Sequence, residues 1–317
     1  MSFANHPCFD GRVRHTVGRV HLPVAPRCNV QCNFCNRKYD CVNESRPGVT
    51  SSILSPTQAL LYLDQVMEEI PNIAVAGIAG PGDPFANPEE TLGTLRLIRD
   101  KYPGLILCVA SNGLNVLPYV DELVRVRLSH ITITVNAVDP VVASPIYAWV
   151  RQDKRVWTGV EAAQRLLSQQ LTAIAALKSR GLAVKVNCVV LPGINDDHVT
   201  AVAKRMAELK VDVLNCVPVY QTEGAAFGHL TSPASKQMAE IRKDAGRYLP
   251  QMTHCARCRA DALGLLGDKP DPLWQARLAR CAAAAVEQPE VKPVPPPGRT
   301  FVAVASMEGV LVNQHLG

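Results

Sequence analysis

Short β-branched runs alternate with longer amphipathic stretches along most of the sequence. Six of these runs predict strands, at 18–26, 73–80, 105–113, 130–137, 182–193 and 212–219. Helical patterns lie at 56–69, 88–101, 118–127, 160–180, 197–210 and 233–247. A strand followed by a helix about six times predicts a parallel sheet with right-handed crossovers, either doubly wound or closing toward a barrel. Because the strand runs look apolar on both faces, we expect helices to cover them and chemistry to lie at their carboxyl ends.

The composition excludes several classes of protein. With 47% hydrophobic and 19% charged residues, the chain is typical of a globular protein. The net charge of +5 includes no run of five or six basic residues, so we predict no nucleic-acid partner. No apolar run reaches the roughly eighteen residues of a membrane span, and the N-terminus lacks the apolar core of a signal peptide. We therefore expect a cytoplasmic chain without a membrane partner.

Four of the 11 cysteines fall within residues 24–41. In the cytoplasm disulfides are disfavoured, so such clustering indicates metal binding or redox chemistry. Cys28, Cys32 and Cys35 follow the first strand as C-x3-C-x2-C. A closed zinc site needs four ligands, commonly two C-x2-C pairs, and a structural zinc site is the alternative here. Three thiolates on a [4Fe-4S] cluster instead leave one iron open to a substrate.

Further cysteines fall into two groups. Cys8, Cys41 and the C-x2-C pair Cys255 and Cys258 lie in loops beside prolines, arginines and histidines. Such a pair spans one metal or one cluster edge, which predicts additional clusters. The remaining cysteines are typical of small buried hydrophobic residues, and they are Cys108, Cys188, Cys216 and Cys281.

The cysteine loop and the strand order resemble the radical S-adenosylmethionine (SAM) superfamily. Phe34 is the aromatic residue usually found before the third cysteine, "GPGDP" (80–84) resembles the motif that bonds the methionine amino group, and "PGIND" (192–196) lies where adenine is held. The resemblance implies a partial (β/α)6 TIM-like barrel whose open iron chelates the amino and carboxylate groups of SAM. One electron then cleaves SAM to methionine and a 5′-deoxyadenosyl radical.

The two motifs and the strand ends supply the expected SAM contacts, which are Gly80, Gly82, Asp83, Asn112, Asn136, Gly193 and Ile194. Glycine lets the backbone approach a ligand closely. Asn and Asp at strand ends also simply make turns, which is the alternative for these polar residues.

Longer motifs resemble the proteins of this superfamily that build the nitrogenase cofactor. They are "HPC" (6–8), "CNRKYDCVNESRPG" (35–48), "GIAGPGDPFANP" (77–88), "HITITVNA" (130–137), "VLPGIND" (190–196) and "HCARCRADALGLLG" (254–267). The resemblance implies that two substrate [4Fe-4S] clusters are fused, with a carbide from the SAM methyl group and a ninth sulfur. The product would be the [8Fe-9S-C] precursor of the iron-molybdenum cofactor.

The same resemblance implies a ligand for each cluster. Cys28, Cys32 and Cys35 would hold the SAM cluster. Cys8 and Cys41 would help to hold one substrate cluster, with His6 or His21 as a candidate to complete it. Cys255 and Cys258 would hold the other, with Cys108 as a candidate third thiolate.

Glu44 and Arg46 are the candidate catalytic residues. A carboxylate could move protons during carbide formation, and a guanidinium could balance anionic clusters. A solvated ion pair is the alternative.

The resemblance also implies partners: iron-sulfur cluster donor proteins, cluster carrier or cofactor scaffold proteins of nitrogenase assembly, and an electron donor such as ferredoxin or flavodoxin. Two other functions stay open. One is another radical SAM enzyme with auxiliary iron-sulfur clusters, and the other is a cluster carrier without radical chemistry.

Three regions are predicted along the chain. Residues 1–270 form the radical SAM core with N- and C-terminal cluster-binding extensions. Residues 271–298 form an Ala-rich helix and a Pro-rich linker. Residues 299–317 resemble the truncated start of a NifX-like domain, too short to bury a core of its own.

Overall fold

The computed structural model describes residues 6–43, 49 and 51–286. Within them ten strands follow one another, namely β1 Gly18–His21, β2 Val30–Cys32, β3 Ile73–Ile78, β4 Ile106–Ser111, β5 His130–Thr134, β6 Tyr147–Gln152, β7 Arg155–Trp157, β8 Ala183–Val190, β9 Val213–Pro218 and β10 Leu263–Gly264. The α-helices of the same residues are α1 Pro56–Glu69, α2 Pro88–Lys101, α3 Val120–Arg125, α4 Pro140–Ala143, α5 Gly159–Ser179, α6 Val199–Glu208, α7 Ser235–Ala245 and α8 Pro272–Ala283.

The main sheet has seven strands in the order β10-β1-β3-β4-β5-β8-β9. The strands from β1 to β9 in this order pair in parallel, and β10 pairs antiparallel to β1. These parallel strands are the six that the sequence predicts; five of the predicted helices connect them and the sixth follows β9. The prediction of a partial (β/α)6 barrel is therefore confirmed.

The two faces of this sheet differ in chemistry. Alternate residues such as Leu107, Ile131 and Val184 belong to the main apolar core. Their neighbours Thr132 and Lys185 are equally buried but polar, because successive side chains on a strand point to opposite faces. The expectation of strands apolar on both faces is wrong: both faces are covered, and the inner one is lined with polar groups.

A second sheet, which the sequence analysis missed, holds the cysteine loop. It has the order β2-β6-β7, and its pairs are antiparallel. Cys32 ends β2 opposite Tyr147 of β6. At three residues, β2 and β7 are too short to give a clear period-2 pattern.

The Ala-rich helix α8 packs on α1. The rings of Trp274 and Tyr62 meet edge to face, with centroids 6.0 Å apart. Gln58 Nε2 donates 3.0 Å hydrogen bonds to the carbonyls of Ala282 and Ala284. The predicted Pro-rich linker from 289 onward and the predicted NifX-like segment 299–317 lie outside the described residues. Within the described part of the chain, every helix is too short or too polar to cross a membrane.

Candidate active site

Four cysteines line one cavity beyond the carboxyl ends of β1, β3 and β4. We call Cys28, Cys32, Cys35 and Cys41 with this cavity the loop site. All four are free thiols. The sequence thus predicted the first three members correctly as neighbours, and the structure adds Cys41 to them.

Burial controls the protonation of these thiols. It raises the pKa of Cys28 to about 11 and also raises the pKa of Cys32, Cys35 and Cys41. Without bound iron, these buried thiols keep their protons because a bare thiolate is poorly solvated, although nearby Arg37 acts in the opposite direction. Binding of iron would replace these protons, so the chemistry of the donors fits an iron-sulfur cluster.

Asp83 organises one wall of the loop site. Its Oδ2 accepts hydrogen bonds from Asn112 N at 2.7 Å and Ser111 Oγ at 2.9 Å, and its Oδ1 accepts one from Phe85 N at 2.9 Å. Asn112 Nδ2 in turn donates to Asn29 Oδ1 at 2.7 Å and lies 3.8 Å from Cys28 Sγ. Oδ2 of Asp83 therefore joins the "GPGDP" loop to the end of β4, Oδ1 bonds the turn that follows Asp83, and Asn112 lies at the cavity.

Gly82 lets two loops meet. A Cβ added to it would lie 2.1 Å from the carbonyl oxygen of Arg27, at the start of the cysteine loop. Gly82 N donates to Ala25 O at 2.6 Å, and Gly80 beside it has φ +132°. No other residue fits at position 82, because any side chain would push the "GPGDP" loop away from the cysteine loop.

The remaining predicted SAM contacts lie at β5 and β8. Asn136 is fully buried, and its side chain bonds Tyr147 OH at 3.3 Å and Val189 N at 2.9 Å. Gly193 has φ +73°, and its N–H donates to Asp196. Ile194 packs against the apolar cluster around the cysteine loop. The side chain of Asn136 therefore connects the end of β5 to β8 and β6.

A second group of thiols and imidazoles lies deeper in the barrel. We call it the interior site, and it consists of His6, Cys8, His21, Cys108, His130 and Cys258. His21, Gly77, Cys108 and His130 are paired in register across β1, β3, β4 and β5. This row runs from the last residue of β1 to the first residue of β5, so the interior site extends from the carboxyl end of β1 to the amino end of β5.

Gly77 makes room within this row. A Cβ at Gly77 would lie 2.8 Å from Cys108 Sγ and 3.1 Å from His21 Cδ2, so thiol and imidazole share the space above it. His21 Nδ1 donates to Arg259 O at 3.1 Å, since a carbonyl can only accept. The lone pair of His21 is then on Nε2. Cys108 is half-buried beside it, unlike Cys188, Cys216 and Cys281, which are buried in the core as predicted.

His6 is arranged differently from His21. Its Nδ1 accepts a 3.1 Å hydrogen bond from Cys8 N, which leaves the proton of the neutral ring on Nε2. Burial lowers the pKa of His6 well below its usual value, so the ring is neutral at pH 7. In this tautomer Nε2 is a donor, and the geometry favours His21 over His6 as a ligand.

The interior site also contains Cys8 from the N-terminal segment and Cys258 from the segment before β10. Cys8 and Cys258 both pack against the small apolar cluster of Val213, Met252 and Leu266. Arg19 is 3% exposed, and its Nη2 donates to Cys258 Sγ at 2.9 Å. Burial raises the pKa of Cys8 to about 12, and the charges of nearby Cys258 and Cys255 act in the same direction. Cys258 and Arg19 also line a cavity of about 460 Å³ next to α8.

The cysteines are therefore grouped differently from the sequence expectation. The structure places Cys8 with Cys258, and it places Cys41 with Cys28 and Cys35, whose charges raise its pKa further. Cys255 is exposed. Glu44 and Arg46 lie outside the described residues.

The donors of the interior site also fit a cluster better than a single ion. Across the described residues, no three His, Cys, Asp or Glu side chains are close enough to hold one metal ion. A cluster takes a ligand at each of several irons and so spans donors that are farther apart. Thiolates, formed when cysteine thiols lose their protons to iron, and imidazole nitrogens are the ligands that such irons use.

Comparisons with known proteins agree with this geometry. The Radical SAM superfamily profile matches residues 22–206. The FeMo cofactor biosynthesis protein NifB of Chlorobaculum tepidum is 52% identical over 317 residues, which cover all of this chain and 73% of that protein. NifB of Klebsiella pneumoniae is 40% identical over 333 residues, which cover 99% of this chain and 70% of that protein.

Solved structures share the fold. Streptococcus suis SuiB superposes with a TM-score of 0.54 at 12% identity, over 73% of this chain and 48% of that chain. The resemblance to the radical SAM superfamily, which was inferred from the motifs, is confirmed. The chain is a radical SAM enzyme, and within that superfamily it belongs to the NifB family.

Proposed function

We propose that this enzyme makes an [8Fe-9S-C] precursor of the iron-molybdenum cofactor. It would fuse two [4Fe-4S] clusters, insert a carbide derived from the SAM methyl group and add one sulfur. The printed name of its relatives, FeMo cofactor biosynthesis protein, supports the assignment. The observation that carries it is the interior site, because a plain radical enzyme needs only the donors of the loop site.

The loop site would hold the resident cluster through Cys28, Cys32 and Cys35. When bound, this cluster supplies the electron that cleaves SAM. Asp83 fixes the backbone at Asn112, which brings an amide side chain to the cavity wall. The surrounding burial excludes water from the reacting groups.

The interior site would hold the substrate clusters. Cys8, Cys108 and Cys258 supply thiolates, and His21 supplies an imidazole nitrogen. Arg19 and buried Lys185 bring positive charge, which lowers the pKa of Cys8 against the larger effect of burial. Such charge stabilises anionic clusters in a dry interior. An imidazole is a weaker anchor for a cluster than a thiolate, which suits a product that must leave.

Further roles complete the proposal. Cys41, which lines the loop site beside Cys28 and Cys35, and the exposed Cys255 would contact substrate clusters during transfer. Glu44 and Arg46 would assist proton movement. Cluster donors, cluster carriers or cofactor scaffolds, and a ferredoxin or flavodoxin would be the partners, in the cytoplasm. Residues 1–270 would be the catalytic core, and 299–317 would begin a NifX-like domain.

The test is anaerobic quantification of iron and sulfide with EPR, before and after SAM is added. We expect about twelve irons per chain, three clusters of four. After SAM is added, 5′-deoxyadenosine and S-adenosylhomocysteine should form with an [8Fe-9S-C] product. Cys258→Ala should lose about four irons and still cleave SAM, whereas the control Cys188→Ala should lose none. About four irons in the wild type would contradict the proposal, and auxiliary clusters that remain unfused would favour another radical SAM enzyme.

A further inference from the structure

His130 is a buried imidazole with an unused nitrogen. The residue is 4% exposed, and its Nε2 has no hydrogen-bond partner within the described part of the chain. A buried polar atom without a partner costs on the order of 1–3 kcal/mol, so such atoms usually have a ligand. Neither the cysteine motifs nor the strand-end rule pointed to this residue.

The neighbour Ser129 bonds the other ring nitrogen of His130, Nδ1, and so leaves Nε2 to face a ligand. Ser129 Oγ lies 3.4 Å from Leu107 O and 2.8 Å from His130 Nδ1. When the hydroxyl donates to Leu107 O, which can only accept, His130 Nδ1 donates to Ser129 Oγ and the lone pair of the ring is on Nε2. This is the arrangement of a metal-binding histidine, in which one ring nitrogen is oriented by a hydrogen bond while the other binds.

The position of His130 places this lone pair in the interior site. His130 pairs in register with Cys108, so both side chains leave neighbouring strands on the same face. His6 and Phe9 pack on the ring, each with its centroid 4.5 Å away. The ring is therefore held by aromatic contacts next to a thiol, in the polar face of the sheet.

We propose that His130 Nε2 binds an iron of the same substrate cluster that Cys108 binds. The proposal rests on the proposed function and deepens it, because it adds a ligand from the amino end of β5. His6 packs on the ring of His130, and its buried Nε2–H, which has no partner among the described residues, would donate a hydrogen bond to a cluster sulfide. The step forms only a coordination bond, so it needs no electron and no proton transfer.

The test uses the full chain, reconstituted anaerobically without SAM and labelled with ¹⁵N-histidine. Pulsed EPR of the reduced protein detects histidine nitrogens bound to iron. Since the loop site contains no histidine, any such coupling comes from the interior site. The variants are His130→Ala, His130→Cys and His21→Ala, with the exposed His229→Ala as the matched control. Circular dichroism checks the fold of each.

We expect the wild type to show a histidine coupling that His130→Ala reduces. His130→Ala should also lose about four of the irons that the wild type binds per chain. His130→Cys should keep the iron, because a thiolate replaces the imidazole, and should still lack the His130 coupling. This variant therefore separates the loss of a ligand from a failure to fold. His21→Ala should remove a different coupling, and His229→Ala should remove none.

Two results would overturn the inference, and they differ in what else they overturn. Unchanged iron and unchanged coupling in both His130 variants would mean that His130 binds no iron, while the proposed function stands. Only about four irons in the wild type would overturn the proposed function and this inference together.

Discussion

The loop site and the interior site use the same kinds of donor but are built in opposite ways. The loop site takes Cys28, Cys32 and Cys35 from eight consecutive residues after one strand. The interior site takes its donors from the N-terminal segment, β1, β4, β5 and the segment before β10. The loop site is therefore determined by the spacing of residues along the sequence. The interior site is determined by strand register and by the packing of distant segments against each other.

This difference predicts how each site fails. A change in the loop site should stop SAM cleavage, because the resident cluster and SAM share one cavity. A change in the interior site should alter the binding of substrate clusters and leave SAM cleavage nearly intact. The separation of the two sites can be tested by experiments whose expected effects range from loss of activity to a small change in stability.

The largest effect is expected for Cys32→Ser in the loop site. Formation of 5′-deoxyadenosine, measured by chromatography, should fall by about 1000-fold or to background, since a lost ligand removes both the cluster and the SAM site. The interior irons should stay, at about eight per chain. Cys188→Ala, which changes a thiol in the apolar core, should keep full activity. Loss of all iron from Cys32→Ser would show that the two sites are not independent.

The next largest effect is expected in the rates at which individual thiols of the iron-free protein are alkylated. The pKa of Cys28 is raised to about 11, so at pH 8 it should react about 200-fold more slowly than an ordinary thiol with a pKa of about 8.5. The pKa of Cys8 is raised to about 12, which makes it about tenfold slower again. Each rate should rise about tenfold per pH unit until its pKa is reached, as peptide mass spectrometry would measure. Rates independent of pH would disprove the assigned protonation.

Two glycines allow a matched test of each site. Gly82→Ala places a Cβ 2.1 Å from Arg27 O and should reduce SAM cleavage by about 100-fold through misplacement of the cysteine loop. Gly77→Ala places a Cβ 2.8 Å from Cys108 Sγ and should weaken interior iron binding by about tenfold. Iron content and 5′-deoxyadenosine should be measured for both. The comparison fails if Gly77→Ala impairs SAM cleavage as strongly as Gly82→Ala does.

The smallest effect is expected in stability, at one arginine beside each site. Arg19 is 3% exposed and donates to the carbonyls of Gly264 and Leu265, so Arg19→Met should cost about 2 kcal/mol. The Arg27 side chain is 66% exposed in its ion pair with Glu90, and Arg27→Met should cost less than about 1 kcal/mol. Urea unfolding of the iron-free protein measures both. Equal urea midpoints for Arg19→Met and Arg27→Met would mean that the buried arginine stabilises the fold no more than the exposed one does.

Much of the fold could be predicted from the sequence because its elements are long and periodic. The predicted helices at 56–69 and 88–101 match α1 and α2 at both ends. Their boundaries are marked by proline in the first turn, and in α1 by the Ser55 capping box. The strands β2, β7 and β10 have three residues or fewer, which is too little for a pattern.

The candidate site divides in the same way. Cys28, Cys32 and Cys35 could be found from their spacing alone. His130 could not, because it starts a strand and reads as one more alternating residue in "HITITVNA". The expectation that chemistry lies at the carboxyl ends of strands directed attention away from it. Only register, which pairs His130 with Cys108, brings it to a thiol.

The two edge strands of the main sheet, β9 and β10, are paired to very different extents. Separating β9 from β8 breaks six register pairs, from Lys185–Val213 to Val190–Pro218, whereas separating β10 from β1 breaks only two. A short edge strand opens at low cost in free energy, far below that of unfolding the barrel. The weak edge is the one that carries Cys258 in the preceding segment. Local unfolding of the main sheet would therefore begin at the β10 edge and release the segment with Cys258. The hydrogen bonds from Arg19 to Gly264 and Leu265 oppose this unfolding, while β9 stays paired with β8.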